Sequence, residues 1–324
     1  MFFGSRLFGS CFQRSKTMEV VNNDTLSSVP SIMGDGVNNK RYKSLNKIGS
    51  GGSAMVWKSI DTHTMEVVAM KVSSMHHGNT ELENEFFLLR KFNNPHIISP
   101  IAFYYDRRSR VTSHMILPFM NKDLFTHVID EGRYMNEKEL RKLVIDIADG
   151  IKHIHDRGVI HRDIKPENIL IDTNGTYVLC DFGCAEWDDS ISFNKAKGTL
   201  NYMAPEVATA YVKNNKNEMS FIIGKSMDIF SFGMTLYNIA TRSAGGPTRV
   251  GKSSDVFMNE ISKFDMMPYI DELTDRSAAF SDLLKMMLYR SPVARITVEE
   301  ILDHPFVTGS DAMLTSDIST HRAM

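Results

Sequence analysis

The sequence contains little cysteine, no long apolar run and almost no net charge. Its 324 residues include three cysteines, Cys11, Cys180 and Cys184, which are too few and too unevenly spaced for a disulfide framework or a four-ligand zinc site. No run approaches the roughly 18 consecutive apolar residues of a membrane span. With 37 basic and 39 acidic residues, the formal net charge of −2 gives no electrostatic reason to expect nucleic acid or an anionic membrane as the main partner. We therefore expect a protein of a reducing compartment, cytoplasmic or nuclear.

The segment from Asn22 to Asn39 is rich in Asn, Ser, Gly and Asp and has little apolar material to bury. We expect residues 1–40 to form a disordered leader and residues 308–324 a short tail. The apolar residues at the start are interrupted by Arg6 before the core of a signal peptide can form. The alternative for the leader is a mitochondrial transit peptide, because it carries basic residues and no acid before Glu19.

Hydrophobic periodicity divides the rest of the chain in two. Between residues 41 and 117 apolar residues alternate or form short runs, which is typical of β-strands, except that Thr80 to Phe92 has a helical period. After residue 121 the pattern is helical. Asn136 and Glu139 resemble a capping box, and Gly158 is placed to end the helix that follows. The apolar stripe of that helix comprises Leu140, Leu143, Val144, Ile147, Ile151 and Ile154.

Two short motifs carry groups suited to phosphoryl transfer. Residues 161–168 read HRDIKPEN, and residues 181–183 read DFG. Asp163 would accept the proton of an attacking hydroxyl, while Asn168 and Asp181 offer the hard oxygen ligands that Mg²⁺ prefers. Each of these residues alone is also an ordinary turn residue, so the prediction of catalysis rests on all of them occurring in register.

With these motifs the chain resembles the eukaryotic-type protein kinases, from about Tyr42 to Val307. Residues 49–56, GSGGSAMV, look like the family's glycine-rich loop, residues 68–71, VAMK, like its lysine-bearing strand, and residues 204–206, APE, like the end of its activation segment. The resemblance implies a two-lobed α+β fold. We expect a kinase domain over residues 41–307, with a small, mainly β N-lobe carrying one regulatory helix (41–117), a hinge (118–121) and a larger, mainly α C-lobe (122–307).

The resemblance also implies an ATP site. The glycines of residues 49–52 would let backbone N–H groups approach phosphate oxygens. The alternative is that they form an ordinary hairpin turn. Ala54 stands where the family often has glycine. Leu117 would guard the back of the adenine pocket, Met120 would offer backbone groups to the base, and Asp123 would meet the ribose. The full set expected at the nucleotide is Ile48, Gly49, Ser50, Gly51, Gly52, Ser53, Ala54, Met55, Val56, Ala69, Lys71, Glu85, Leu117, Met120 and Asp123.

Lys71 lies on a predicted buried strand, where an unpaired ammonium is costly. Glu85, ten residues before Pro95, is the best candidate for its partner. By resemblance the pair would hold Lys71 against the α- and β-phosphates. The alternative is a purely structural ion pair.

The residues after Asp163 indicate which hydroxyl is phosphorylated. The sequence IKPEN at residues 164–168 resembles serine/threonine kinases rather than tyrosine kinases. Lys165 would contact the transferring phosphate, and Thr199 would bridge Asp163 and Lys165, unless it is an ordinary exposed loop threonine. Glu167 would meet a basic residue upstream of the target site.

Other motif residues are assigned to architecture and regulation. Glu206 and Arg295 resemble a buried ion pair that anchors the activation segment, and Asp228 resembles the residue that holds the catalytic loop. In similar kinases the arginine at the position of Arg162 is neutralised by a phosphate on the activation segment. In this chain the residue at the expected phosphorylation position is Lys195, which cannot be phosphorylated. We therefore expect partial or full activity without an upstream kinase. The remaining candidates for phosphorylation are Ser190 and Ser192, and those for permanent counter-charges are Asp188 and Asp189.

The sequence thus predicts a serine/threonine protein kinase that uses ATP and Mg²⁺. Asp163 is the predicted base, Lys71 and Lys165 are predicted to steady the phosphates, and Asn168 and Asp181 are predicted to hold the metal. The expected partners are protein substrates with Ser or Thr; we expect a monomer, with no nucleic acid and no membrane partner. Two rivals are a pseudokinase that keeps the fold for binding, and a small-molecule kinase, which the APE motif disfavours.

Overall fold

The computed structural model describes residues 33–34, 41–50, 54–73, 80–105, 113–187, 198–213, 223–243 and 254–309. Contacts within the chain divide it into two compact units. The first comprises Met1–Asn93 and Ile98–Phe119, and the second comprises Asn94–Ile97 and Met120–Met324. The division after Phe119 falls within the segment that the sequence predicts as a hinge.

The first unit is built on one sheet. Its strands are β1 (Met33–Gly34), β2 (Tyr42–Ser50), β3 (Ala54–Asp61), β4 (Val67–Ser73), β5 (Ala102–Tyr105) and β6 (Ser113–Pro118). Among the described residues they form a six-stranded sheet in the order β1-β5-β6-β4-β3-β2, in which only β1 and β5 pair in parallel. In the described part of this unit one helix, α1 (Thr80–Leu89), accompanies the sheet. The prediction of a mainly β lobe with one helix is confirmed for these described residues.

Helix α1 buries the apolar residues that predicted it. Leu82, Phe86 and Leu89 are 4%, 5% and 1% exposed, and the Phe86 ring lies 5.1 Å from the ring of Phe103 on β5. The helix ends at Leu89, three residues earlier than the apolar period predicts. Phe92 is still buried, but its N–H donates to the carbonyl of Leu89, three residues earlier, as in a 3₁₀ turn. The apolar spacing therefore continues beyond the last α-helical hydrogen bond.

The second unit is mainly helical, as predicted. Its short strands are β7 (Lys122–Asp123), β8 (Val159–Ile160), β9 (Ile169–Ile171), β10 (Tyr177–Leu179) and β11 (Glu186–Trp187), which form the ladders β10-β9-β7 and β11-β8. Its helices are α2 (Glu137–His155), α3 (Pro205–Lys213), α4 (Ile223–Thr241), α5 (Ser254–Ile261), α6 (Met267–Asp271), α7 (Ala278–Met287), α8 (Val298–Asp303) and α9 (Pro305–Thr308). None of the helices in the described ranges is long and apolar enough to cross a membrane.

Helix α2 leads into the loop that carries Asp163. Its predicted capping box is present, because Asn136 Oδ1 accepts from the N–H of Glu139 at 3.0 Å and Glu139 Oε2 accepts from the N–H of Asn136 at 2.9 Å. All six residues of its predicted apolar stripe are fully buried. Gly158, with a φ of 71°, takes the left-handed conformation just beyond the end of the helix. The loop that carries Asp163 therefore starts from a firmly anchored helix.

Helix α4 is buried on nearly all sides. Apolar residues such as Phe232 and Leu236 are fully buried, and so are the polar residues Asp228, Thr235 and Asn238. These polar groups have partners: the Thr235 hydroxyl donates to the carbonyl of Ser231 at 2.8 Å, and the Asn238 amide donates to the Tyr202 hydroxyl at 3.1 Å. A helix buried in this way can hold a carboxylate, that of Asp228, at a fixed place inside the unit.

Candidate active site

In the first unit, strands β2 and β3 carry part of the predicted nucleotide site. Gly49 faces Val56 across the ladder and Ser50 faces Met55, while Gly51, Gly52 and Ser53 lie outside the described residues. A Cβ added to Gly49 would lie 3.7 Å from the Val56 Cβ, which is an ordinary contact. The fold of this hairpin therefore does not itself require glycine at position 49. Glycine would be required there if a ligand approached the backbone closely.

Other predicted nucleotide-site residues of this unit lie on four strands of the same sheet, β2, β3, β4 and β6. Ala69 pairs with Leu117 on β6, and each of these residues is 9% exposed. Ala54 is buried and pairs with Ser73, and Ile48 on β2 is 46% exposed. The contact of these residues with a nucleotide stays a prediction.

Lys71 and Glu85 form the ion pair that the sequence predicts. Lys71 Nζ lies 2.8 Å from Glu85 Oε1 and 2.7 Å from Oε2, with side chains 11% and 4% exposed. Lys71 comes from β4, and Glu85 comes from the face of α1 that is turned toward the sheet. The pair is confirmed, whereas the contact of Lys71 with phosphate stays a prediction.

In the second unit, the carboxylate of Asp228 holds the loop that carries Asp163 by its backbone. It accepts from the N–H of His161 and from the N–H of Arg162, both at 2.8 Å, and His155 Nε2 lies 2.9 Å from it. Asp228 is completely buried in helix α4. Because an ionised carboxylate is a strong acceptor, this arrangement fixes the loop just before Asp163. The predicted role of Asp228 is confirmed.

The carboxylate of Asp163 lies at the centre of a hydrogen-bond network. Its Oδ1 accepts from the N–H of Thr199 at 2.9 Å and from the Thr199 hydroxyl at 2.7 Å. Its Oδ2 accepts from Lys165 Nζ at 2.8 Å and from Asn168 Nδ2 at 3.2 Å. Lys165 Nζ also donates to the Thr199 hydroxyl at 2.7 Å, so the predicted bridge by Thr199 is confirmed.

The charge on Lys165 is stabilised by this network. Burial by itself lowers the pKa of the ammonium, but the carboxylates of Asp163, Glu167 and Asp181 together outweigh burial, and the pKa of Lys165 lies above its ordinary value. Lys165 therefore remains a cation at neutral pH, beside the carboxylate that it orients.

His161 connects the catalytic loop to the segment that carries Asp181. Its Nδ1 accepts from the N–H of Asp163 at 3.3 Å, its Nε2 lies 3.1 Å from the Cys180 carbonyl, and its ring packs edge-on against Phe182 at 4.6 Å. Complete burial holds the pKa of His161 below its ordinary value. A neutral ring suits these contacts, because one nitrogen must accept while the other donates.

Asn168 and Asp181 have the oxygen atoms that suit a metal ion. Asn168 Nδ2 donates to the backbone carbonyl of Asp163 at 2.8 Å, so the other end of the amide presents Oδ1 as an oxygen ligand. Asp181 is exposed and has a φ of 60°, an uncommon backbone conformation for a residue other than glycine. Among the described residues no three His, Cys, Asp or Glu side chains form a metal-holding group. Two oxygen ligands from the protein fit Mg²⁺, which is commonly held by few side chains together with phosphates and water.

Asp123 makes a local contact that the sequence does not suggest. Its carboxylate accepts from the N–H of Thr126 at 2.8 Å and from the Thr126 hydroxyl at 3.0 Å, at the start of the helical segment Thr126–Asp130. Met120, at the start of the second unit, is half-buried. The roles of both residues at the nucleotide stay predictions.

An unpredicted acid, Glu186, pairs with Arg162. The two side chains form an ion pair and are 26% and 4% exposed, respectively. Glu186 opens strand β11 and lies opposite Ile160 on β8. Sequence reasoning missed Glu186, because a ladder of two residues leaves no periodic signal. The predicted counter-charges Asp188 and Asp189, and the serines Ser190 and Ser192, lie outside the described residues.

The ion pair predicted between Glu206 and Arg295 is confirmed. Arg295 Nη1 lies 2.7 Å from Glu206 Oε1, and Nη2 lies 3.0 Å from Oε2. The Arg295 side chain is fully buried and also donates to the carbonyls of Ser226 and Tyr289. This bidentate contact ties the start of α3 to the segment before α8.

Comparison with known proteins gives concordant matches. The family described as "Protein kinase domain" matches residues 42–307. The chain is 26% identical over 318 residues to "Calcium/calmodulin-dependent protein kinase type 1" of Macrobrachium nipponense, covering 94% of this chain and 84% of the relative. It is 28% identical over 279 residues to "Phosphorylase b kinase gamma catalytic chain, liver/testis isoform" of Bos taurus, covering 82% and 66%. It is also 28% identical over 299 residues to "Serine/threonine-protein kinase pakA" of Talaromyces marneffei, covering 91% and 44%. The chain thus spans most of the first relative, about two thirds of the second and less than half of the third.

Proposed function

The chain belongs to the protein kinase family, in its serine/threonine class, and we propose that it transfers the γ-phosphoryl group of Mg-ATP to Ser and Thr hydroxyls of protein substrates. The observation that carries this proposal is the Asp163 carboxylate, held by Lys165, Asn168 and Thr199 at 2.7–3.2 Å. A carboxylate fixed in this way is suited to accept the proton of an incoming hydroxyl.

The network around Asp163 supports a defined position for that hydroxyl. A carboxylate has about four lone-pair sites, and all of them are engaged by Thr199, Lys165 and Asn168. The 3.2 Å contact from Asn168 Nδ2 is the longest of these, so it is the contact that an arriving hydroxyl displaces most easily. The proton of the hydroxyl would then pass to Oδ2 of Asp163 while the hydroxyl oxygen bonds to the γ-phosphorus. The bond between that phosphorus and the β-phosphate oxygen breaks, and ADP leaves.

The cations of the chain supply the charge that phosphoryl transfer needs. Lys165 keeps its proton beside Asp163 and can contact the phosphoryl group as negative charge spreads over its oxygens. In the first unit, Glu85 holds Lys71 by both carboxylate oxygens, in support of a fixed contact between Lys71 and the α- and β-phosphates. Asn168 Oδ1 and the Asp181 carboxylate would hold Mg²⁺, which when bound neutralises phosphate charge.

The residues around the catalytic loop also support the choice of substrate. Lys165 and Thr199 contact each other beside Asp163, in the arrangement expected for Ser and Thr hydroxyls. Glu167 is exposed on the short helical segment Pro166–Asn168 and can meet a cation of the substrate, so we propose a preference for basic residues upstream of the target. A positional peptide library that shows no selection for Arg or Lys would overturn this preference.

Further parts of the proposal concern partners and location. We propose that the protein acts as a monomer on protein substrates in the cytoplasm or nucleus and has neither a nucleic-acid nor a membrane partner. The scarcity of cysteine supports the location, and the formal net charge of −2 supports the expectation about nucleic acid and membranes.

The test of the proposed function is transfer of labelled phosphate from ATP to mixed basic, acidic and neutral protein substrates with Mg²⁺. The wild type is compared with Asp163→Asn, which keeps the shape of the side chain but removes the base, and the labelled products are hydrolysed to identify the phospho-amino acid. We expect label on Ser or Thr that is lost in the variant. Binding of ATP by the wild type without any transfer would favour a pseudokinase instead.

A further inference from the structure

Arg162 is a buried cation next to the predicted base. Only 4% of its side chain is exposed, and its φ of 70° lies in the left-handed region, which residues other than glycine seldom adopt. Its N–H donates to Asp228 Oδ1 at 2.8 Å. A residue in this conformation is held there by its surroundings, and because Arg162 and Asp163 share a peptide unit, a displacement of one moves the other.

The backbone of Arg162 is also in contact with the segment that carries Thr199. A Cβ added to Gly198 would lie 2.3 Å from the Arg162 carbonyl oxygen, and Gly198 has a φ of 97°, so glycine is required there. The following residue, Thr199, bonds to Asp163 through its N–H and its hydroxyl. Arg162 is therefore the point at which the two chain segments around the Asp163 carboxylate meet.

The chain itself provides a carboxylate for this cation. Glu186 forms an ion pair with Arg162, and its backbone is fixed in the ladder between β11 and β8, opposite Ile160. A guanidinium keeps its proton when it is buried, so it needs an anion close by. Because Glu186 is an encoded side chain, this anion is present in every copy of the protein without any modification.

We infer that Glu186 is a positioning residue for phosphoryl transfer. Its carboxylate is a permanent counter-charge that fixes Arg162, and through Arg162 it keeps Asp163 and Gly198 in place without a phosphate on the activation segment. The inference rests on the proposed kinase function and adds its regulation. A phosphate that approaches Arg162 would meet the negative charge of Glu186, so phosphorylation is not expected to increase the rate.

The experiment uses the full chain, purified after phosphatase treatment, with its unphosphorylated state checked by intact mass. Steady-state transfer from Mg-ATP to a mixed protein substrate is measured for the wild type, Glu186→Gln and Glu186→Asp. The matched control is Glu299→Gln, the same change at an exposed acid on α8 whose carboxylate lies 3.6 Å from Lys152. A melting curve of each variant checks that it is folded.

We expect the unphosphorylated wild type to be active and Glu186→Gln to lose about tenfold or more in kcat, with KM for ATP within about threefold. Glu186→Asp keeps the charge and should recover most of kcat, and Glu299→Gln should match the wild type. A protein that is merely less stable would show a lower melting temperature without this separation of kcat from KM.

The inference is overturned if Glu186→Gln folds and keeps the wild-type kcat, or if the unphosphorylated wild type is inactive. The second result is independent of whether any variant folds. If phosphorylation then switches transfer on, the proposed function stands and only the role of Glu186 fails. If transfer is absent with and without phosphorylation while ATP binds, both proposals fail.

Discussion

The hydroxyl of Thr199 makes two contacts that can be removed with little change in shape. It donates to Asp163 Oδ1 at 2.7 Å and accepts from Lys165 Nζ at 2.7 Å. Thr199→Val replaces the hydroxyl by a methyl group of similar size. The N–H of residue 199 still donates to Asp163 Oδ1, and Lys165 still bonds to Asp163 Oδ2, so the change removes only the bridge between them.

The magnitude follows from the kind of bond that is lost. A hydrogen bond to a charged group contributes about 1.5–3 kcal/mol. Asp163 retains three other contacts and Lys165 retains one, so we count one such bond as the net loss in fixing the Asp163 carboxylate. At 1.36 kcal/mol for each factor of ten, this predicts a fall in kcat of about 10- to 150-fold.

The assay is steady-state phosphoryl transfer at saturating ATP, with Thr199→Ser and Thr241→Val measured in parallel. Thr199→Ser keeps the hydroxyl, and its kcat should stay within about threefold of the wild type. Thr241→Val is the matched control, because its hydroxyl bonds at 2.9 Å to the carbonyl of Tyr237 in its own helix. The reasoning is wrong if Thr199→Val keeps kcat within about twofold, or if Thr199→Ser loses as much as Thr199→Val.

Three further perturbations test the remaining contacts. Glu85→Gln removes the anion that holds Lys71, and kcat/KM for ATP should fall about tenfold or more in a steady-state assay. Arg295→Met leaves the buried Glu206 carboxylate without a cation, so the free energy of unfolding in urea should fall by about 3–5 kcal/mol. Burial lowers the pKa of His161 in the folded state, so the unfolded chain binds more protons near that pKa. The free energy of unfolding should therefore fall as the pH drops below about 6.5, as measured by melting temperatures between about pH 5 and pH 8.

Each of these perturbations has its own control. Glu81→Gln changes an exposed acid on the same helix as Glu85, and a comparable loss in kcat/KM would show that the effect is not due to the ion pair. Adding Glu206→Leu to Arg295→Met removes the stranded charge and should recover stability; no recovery would contradict the electrostatic reason. For the pH effect, His161→Gln should show a shallower pH slope than the wild type, and an unchanged slope would assign it to other histidines.

Much of the scaffold follows from local patterns. The apolar stripe of α2 and its capping box are local in sequence, since each contact joins residues three or four positions apart, and the sequence predicts both. The pairs Lys71–Glu85 and Glu206–Arg295 are distant in sequence, and the family resemblance rather than periodicity indicates them. Resemblance also indicates the contact of Thr199 with Asp163.

The contacts that sequence reasoning missed depend on how short segments meet in space. Glu186 is brought beside Arg162 by a ladder of two residues, which has no sequence signature of its own. Asp123 uses its carboxylate to hold the N–H and hydroxyl of Thr126, a local bond that competes with any contact to a ligand. The end of α1 at Leu89 also differs from the prediction, because apolar spacing does not report where the hydrogen bonds change.

Because of the Asp228 carboxylate, the loop that carries Asp163 can open only as often as the second unit opens around α4. The amide protons of His161 and Arg162 are both directed at this one fully buried group on α4. To exchange with deuterium, each must first leave a carboxylate that solvent reaches only when α4 separates from its neighbours. Local opening of the loop should therefore contribute little to the hydrogen exchange of these two amides. We expect them to exchange as slowly as the backbone amides of α4. The loop that carries Asp163 therefore behaves as part of the interior of the second unit.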